Sequence, residues 1–232
     1  MCDYMNIIVI SDIHNDVENL LTYIDKISNF DFDVIICPGD FTDINTPKGF
    51  TQEDIAKIII EELKTLKKPI LCVPGNMDTK KIIDYFEKEN ISIHGKGKII
   101  KNIGFYGYGG AKTPFNTNRE PTEEELEKNL KNAFEDVKKV KVKIQVTHNP
   151  PYGTRVDLLQ NGMHVGSKIV RNIIQKENPL VAISAHIHEA KGTDNINNTF
   201  LMNSGKFSEG HFGLIKIEKD NKVNGKILNL NE

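Results

Sequence analysis

Two histidines separated by one residue, His186 and His188 in "SAHIHEAKG", close an apolar run. On an extended chain such residues point to one side, about 6.5–7 Å apart. They can pack, ligate one metal, or ligate two. Five more residues of ligating type stand in comparable places. Asp12 and His14 follow "NIIVIS", Asp40 follows "VIICPG", Asn76 follows "ILCVPG", and His148 follows "KIQVT". Carboxylate, imidazole and amide oxygen without thiolate suit Mn, Fe or Zn and disfavour a structural zinc, which prefers cysteine. Each piece alone is a weak signal, since a lone histidine at a strand end is more often structural. The force lies in the order D-x-H, G-D, G-N, H, H-x-H, each behind an apolar run. Gly39 and Gly75 precede Asp40 and Asn76, which permits tight turns and close backbone approach.

For these side chains to meet, the runs before them must be strands whose carboxyl ends share one edge, where open α/β sheets keep their ligand crevice. Met5–Ile10, Val34–Cys37, Ile70–Val73, Ile144–Thr147 and Leu180–Ser184 are apolar runs of strand length. Val17, Leu20, Leu21, Ile24 and Ile27 fall on one face of a helix over Val17–Ile27. Thr51 with Asp54, a short-acid capping box, opens a helix to Leu66, and Thr122 with Glu125 opens another to Lys138. Lys80–Glu87 and Ser167–Lys176 read as further helices. Ile99–Tyr108, within "GKGKIIKNIGFYGYGG", reads as a hairpin. Thr199–Asn203, Phe212–Glu218 and Lys222–Leu230 read as antiparallel strands. Two sheets stacked between helical layers, in one domain over residues 1–232, fit this rhythm.

Composition narrows the function classes. The 232 residues carry 30 basic against 32 acidic side chains, so no basic excess marks nucleic acid as an obligatory partner. No run approaches the roughly 18 apolar residues of a membrane span. The start, "MCDYMNIIVI", lacks the basic and long apolar regions of a secretory signal. Cys2, Cys37 and Cys72 do not form a disulfide framework, and the last two read as buried strand thiols. A reducing, cytoplasmic location follows.

Among the arginines, Arg119 and Arg171 read as ion pairs. Arg155, downstream of His148, is a candidate clamp for a substrate phosphate. His164 in "NGMHVGS" is a second candidate substrate contact. His94 is expected to be exposed and His211 to pack at a strand start. "EEELEKNLKNAFEDVKK" reads as a solvated helix. "YGYGGAKTPFNTNREP" is a glycine-rich loop that either borders the crevice or runs over the surface.

The blocks "SDIH", "PGD", "PGNMD", "THNPP" and "AHIH" resemble the five motifs of the calcineurin-like metallophosphoesterases, over most of the chain from Met5 to Ile217. The stretch from Val165 to Gly192 resembles the prokaryotic branch related to Icc-type cyclic-nucleotide phosphodiesterases. The resemblance implies an α/β fold, a four-layer α/β/β/α sandwich of two mixed β-sheets flanked by helices. It implies two divalent metal ions, with Mn preferred over Fe or Zn. Asp12, His14 and His188 would hold one ion, Asn76, His148 and His186 the other, and Asp40 would bridge both. The ligand count suits two ions with open positions better than one.

The implied reaction is hydrolysis of a small phosphoester, a phosphodiester by preference, by hydroxide activated between the metals. Asp40, Asn76 and His148 would be its catalytic residues, and Asp78 would hydrogen-bond its own loop. Four positions depart from the family pattern. Met77 stands where a histidine often acts on the leaving group, Thr147 and Ala185 stand where glycine is usual, and Asn15 follows His14 in place of glycine. A non-catalytic scaffold of the same fold and a nuclease are the alternative readings. The resemblance implies no membrane partner and leaves homo-oligomerisation open.

Overall fold

The structure, a computed structural model, describes residues 5–232, so Cys2 lies outside it. The first strand, β1 (Met5–Val9), shows how the layers arise. Successive side chains on a strand point to opposite faces. Met5, Ile7 and Val9 therefore join one core cluster, and Ile8, with Ile10 beyond the strand end, joins another. Both faces are buried, which is why the run is apolar throughout rather than alternating. The next two core strands, β2 (Val34–Cys37) and β3 (Ile70–Cys72), repeat the pattern and pair in parallel.

Helix α1 (Val17–Ile27) starts where Asp16 accepts a hydrogen bond from Asn19 N. Helix α2 (Gln52–Lys64) starts at the full Thr51–Asp54 capping box anticipated above. With α3 (Lys80–Lys88) they cover the outer face of the first sheet through Leu20, Ile24, Ile59 and Phe86. Its five strands run in the order β11-β10-β1-β2-β3, where β10 is His211–Ile217 and β11 is Val223–Asn229.

The second sheet has six strands. They are β4 (Lys96–Ile100), β5 (Ile103–Tyr108), β6 (Val142–Thr147), β7 (Val181–Ser184), β8 (Gly192–Ile196) and β9 (Thr199–Asn203), in the order β4-β5-β6-β7-β9-β8. Helix α4 (Glu123–Val137), opened by Thr122 accepting from Glu125 N, and α5 (Lys168–Glu177) cover its outer face through Leu126, Leu130, Val170 and Ile174. Between the sheets, Ile7, Val9 and Ile36 meet Phe105, Ile144 and Ile183. Both sheets mix parallel and antiparallel pairs. The architecture is the expected four-layer α/β/β/α sandwich.

One expectation fails in detail, and one strand goes unannounced. Thr199–Asn203 is not purely antiparallel, because β9 runs parallel to β7 and antiparallel only to β8. Strand β8 has no apolar run to announce it; its "GTDNI" is an edge that gains its pairing from β9.

Candidate metal centre

The carboxyl ends of β1, β2 and β3 lie side by side, and backbone hydrogen bonds join the loops that follow. Asp12 N donates to Gly39 O at 3.1 Å, and Ile13 N and His14 N donate to Asp40 O at 2.9 and 3.1 Å. In the other sheet Ala185 N donates to His148 O at 3.1 Å. The turns are tight enough to need their glycines. Gly39 has φ +113°, and a Cβ on Gly75 would lie 1.9 Å from Asp40 Oδ1. Four of the seven candidate residues are themselves left-handed: Asp12 (φ 54°), His14 (50°), Asp40 (52°) and His186 (72°). Each costs an L-residue about 1–2 kcal/mol. Such strain persists only where the surroundings over-determine it, and here it is concentrated at one sheet edge.

The side chains form two trios. Donor atoms of Asp12, His14 and His188 lie within 4.8 Å of one another, as do those of Asp40, His148 and His186. In the first, His14 Nε2 faces His188 Nε2 at 3.2 Å, and His188 Nε2 is 3.4 Å from Asp12 Oδ1. In the second, His148 Nε2 is 3.3 Å from Asp40 Oδ2 and 3.0 Å from Asn76 Oδ1, so Asn76 belongs with it. Asp40 Oδ2 is also 3.8 Å from His14 Nε2, which places this oxygen between the trios.

A metal pair fits this arrangement on three counts. Ligand atoms about 2.1 Å from a shared ion sit about 3.0–3.4 Å apart, in octahedral or tetrahedral array, and the four shortest spacings here fall in that range. Both Asp12 carboxylate oxygens are buried without a hydrogen-bond partner, although Asp12 is fully buried. A buried charge in that state needs a cation. Finally, His148 Nδ1 lies 2.8 Å from Pro38 O and must donate to it. Nε2 is then the nitrogen that faces Asp40 and Asn76, and its lone pair becomes available to a metal once its proton leaves.

In the metal-free chain, burial and neighbouring charge set the protonation states. Burial, then the His148 charge, pushes His186 down to about 4, so its ring is neutral. Burial opposes charge on His148, but the Asp40 carboxylate outweighs it and carries the ring up to about 9. Burial also opposes charge on Asp40, and the facing histidines nevertheless hold its carboxyl well below the usual range.

A family profile, calcineurin-like phosphoesterase, matches residues 5–190. The chain belongs to this family. It is 39% identical over 210 residues to an uncharacterized protein of Methanocaldococcus jannaschii, covering 88% of this chain and 89% of the relative. Among solved structures, a Thermus thermophilus protein superposes with a TM-score of 0.73 at 21% identity, covering 97% of this chain and 99% of that one. A dimetal phosphatase from Danio rerio superposes at 0.63 with 9% identity, covering 97% and 98%. At those identities the two structures speak to the fold.

Other parts of this calcineurin-like chain support the centre, Asp78 of the "PGNMD" block as expected and the rest without a readable motif. Asp78 accepts from Gly75 N at 2.8 Å, Phe41 N at 3.3 Å and Thr42 N at 3.1 Å, and so ties the Asp40 loop to the Asn76 loop. Asn203 Nδ2 donates to Ile187 O at 2.9 Å, beneath the histidine pair. Thr117 accepts from Asn76 Nδ2 at 3.2 Å. The glycine-rich loop thus borders the site; a Cβ on Gly109 would lie 2.0 Å from Pro74 O. Its "GYGG" was the one sequence signal of that close approach.

The two candidate substrate contacts belong to neither trio. His164 Nδ1 pairs with buried Asp157 Oδ1 at 2.8 Å. Arg155 is exposed and engages Asp194 through its backbone N–H at 2.8 Å, which leaves its guanidinium free of partners among the described residues. Their segment reaches the centre through Leu159, which lines a cavity of about 320 Å³ with His186, Ile187, His188 and Glu189.

Three peripheral residues also have definite places. His94 is not exposed: its ring stacks on Tyr108 with centroids 4.0 Å apart and accepts from Gly109 N. Arg119 pairs with Glu125 as expected. Arg171 instead donates to the carbonyls of Tyr152 and Gly153.

Proposed function

We propose that this chain is a dinuclear metal-dependent phosphoester hydrolase. Asp12, His14 and His188 hold one divalent ion, Asn76, His148 and His186 hold the other, and Asp40 is shared. The observation that carries this reading is the pair of opposed trios with Asp40 Oδ2 between them and both Asp12 oxygens buried without a hydrogen bond. Bound there, the ions supply Lewis-acid stabilisation of phosphoryl oxygens and lower the pKa of water towards neutrality. The donors suit Mn, Fe or Zn, and the family resemblance makes Mn the first choice.

The chain's own residues set the geometry. Asp40 Oδ1 accepts from Met77 N at 2.8 Å, which turns Oδ2 to the space between the trios. The Pro38 carbonyl fixes the ring of His148. Met77 stands half-buried beside Asn76 and has no proton to give a departing alkoxide. A substrate with a stable leaving group is therefore favoured, and the resemblance of Val165–Gly192 to the phosphodiesterase branch supports phosphodiesters ahead of monoesters. Of the two candidate substrate contacts, Arg155 keeps an uncommitted side chain for phosphate and His164 does not. Cys37 and Cys72 are buried, unpaired thiols in register on neighbouring strands, which suits a reducing cytoplasm.

The test is a hydrolysis screen of Mn-loaded protein on aryl monoesters, aryl diesters and cyclic nucleotides, each with a chelator control. Chelator-sensitive turnover with diesters ahead of monoesters is expected. Absence of turnover on every substrate with Mn, Fe and Zn would overturn the enzyme reading.

A further inference from the structure

Asparagine is the weakest donor in the set and the only one whose two ends differ in sign. Its amide must present Oδ1, not Nδ2, to a cation. His148 cannot hold that end in place for a metal, because a protonated Nε2 donates to the oxygen whereas the deprotonated Nε2 that a metal requires would favour the NH2 group. Something outside the trio has to settle the orientation.

The glycine-rich loop does so. Asn76 Nδ2 donates to Thr117 Oγ1 at 3.2 Å, and Thr117 Oγ1 donates to Glu120 Oε1 at 2.8 Å. The same carboxylate oxygen accepts from Thr117 N at 2.7 Å and from Thr113 Oγ1 at 2.6 Å. A carboxylate can only accept here. The Thr117 hydroxyl must therefore spend its single proton on Glu120 and offer a lone pair to Asn76. The donor direction runs one way, from amide to hydroxyl to carboxylate, and holds Oδ1 turned inward, 3.0 Å from His148 Nε2. Two ties to backbone carbonyls keep the loop on the turn: Arg119 N donates to Asn76 O at 2.9 Å, and the Asn118 side-chain Nδ2 donates to Met77 O at 2.6 Å.

We infer that Thr117, oriented by Glu120, is a positioning residue that fixes the Asn76 amide for metal binding. The inference rests on the two-metal reading above. Outer partners of metal ligands typically contribute about 10–100-fold in affinity. Thr117→Val keeps the shape of the side chain and removes the acceptor, while Thr117→Ser keeps the hydroxyl.

The experiment is calorimetric titration of chelator-stripped protein with Mn²⁺, joined to the visible absorption spectrum of the Co²⁺-loaded protein. Wild type should take up two equivalents. Thr117→Val should weaken one binding step by about 10–100-fold and alter the Co²⁺ bands. Thr117→Ser should restore both. In an Asn76→Ala background, Thr117→Val should add nothing, which a general loosening of the loop would not reproduce. Circular dichroism establishes that each variant is folded, and Glu120→Ala, a loop change one step further out, should weaken the same step.

Wild-type affinity and spectrum in both Thr117→Val and Glu120→Ala would overturn the positioning role and leave the metal reading standing. If wild type itself takes up fewer than two equivalents, the two-metal reading falls, and the inference falls with it.

Discussion

The two trios use the same chemistry and are held in different ways. Around Asp40 the donors are fixed before any ligand arrives. Its Oδ1 is held by Met77 N, His148 is turned by Pro38 O, and Asn76 is turned by Thr117. The His148 side chain is 0% exposed. Around Asp12 the backbone is held but the donor side chains are tied only to one another. Both Asp12 oxygens and His14 Nδ1 lack hydrogen-bond partners, and the His188 side chain is 35% exposed. One half is preorganised, and the other is charged but waiting to be ordered. Preorganisation lowers the cost of binding, and unpartnered buried charge raises the gain from it. The difference therefore points to two unequal steps, a first ion held slowly in the buried half and a second exchanging through the exposed half.

The largest expected effect comes from the residue the halves share. Asp40→Asn keeps the size of the side chain and removes its charge. Diester turnover should fall by more than the roughly 100-fold that an outer partner typically contributes, and uptake of the second Mn²⁺ should be lost. Steady-state rates and metal analysis of the purified variant check this. Turnover within a few-fold of wild type would show that the trios work independently, and the comparison would lose its hinge.

A smaller effect should separate the halves. His188→Ala removes a donor from the exposed trio only. Calorimetry should show the tighter Mn²⁺ step close to wild type and the weaker step reduced by about 100-fold or more, since a direct ligand outranks an outer partner. His148→Ala should strike the tighter step instead. If both variants weaken the same step, the two trios are one site and the asymmetry is structural only.

Much of this centre was legible because its physics is local. Asp12, Asp40, Asn76, His148 and His186 each end a short apolar run, and an apolar run with a breaker is what a buried strand looks like in sequence. The glycines before Asp40 and Asn76 were legible for the same reason, since their close packing is a property of the turn. The rest depends on partners far along the chain. Thr117 meets Asn76 across 41 residues, and no local signal marks a threonine as an acceptor for a distant amide. His94 was misjudged because its burial comes from Tyr108 on the next strands rather than from its neighbours. Strand β8 was missed because an edge strand with a polar face has no hydrophobic run of its own.

The smallest effect is a dependence on pH, and its sign follows from His148. In the folded chain without metal, Asp40 overcomes burial and carries His148 up to about 9, against an ordinary value of 6.5. A raised folded pKa stabilises the metal-free fold below about pH 6.5, and that contribution is lost as pH rises towards about 9. A metal ion needs the same nitrogen without its proton. Binding in the buried half must therefore release a proton below about pH 9. Its affinity should rise with pH by up to about tenfold per unit between about 6.5 and 9, then level off. His186 adds no proton to this release, because it is already neutral, at about 4. Metal-loaded and chelated protein should accordingly draw apart in melting temperature as pH rises through that window. Calorimetry in two buffers of different ionisation enthalpy counts the protons directly. A gap that narrows with rising pH, or proton uptake on binding, would mean that His148 does not meet the metal through Nε2.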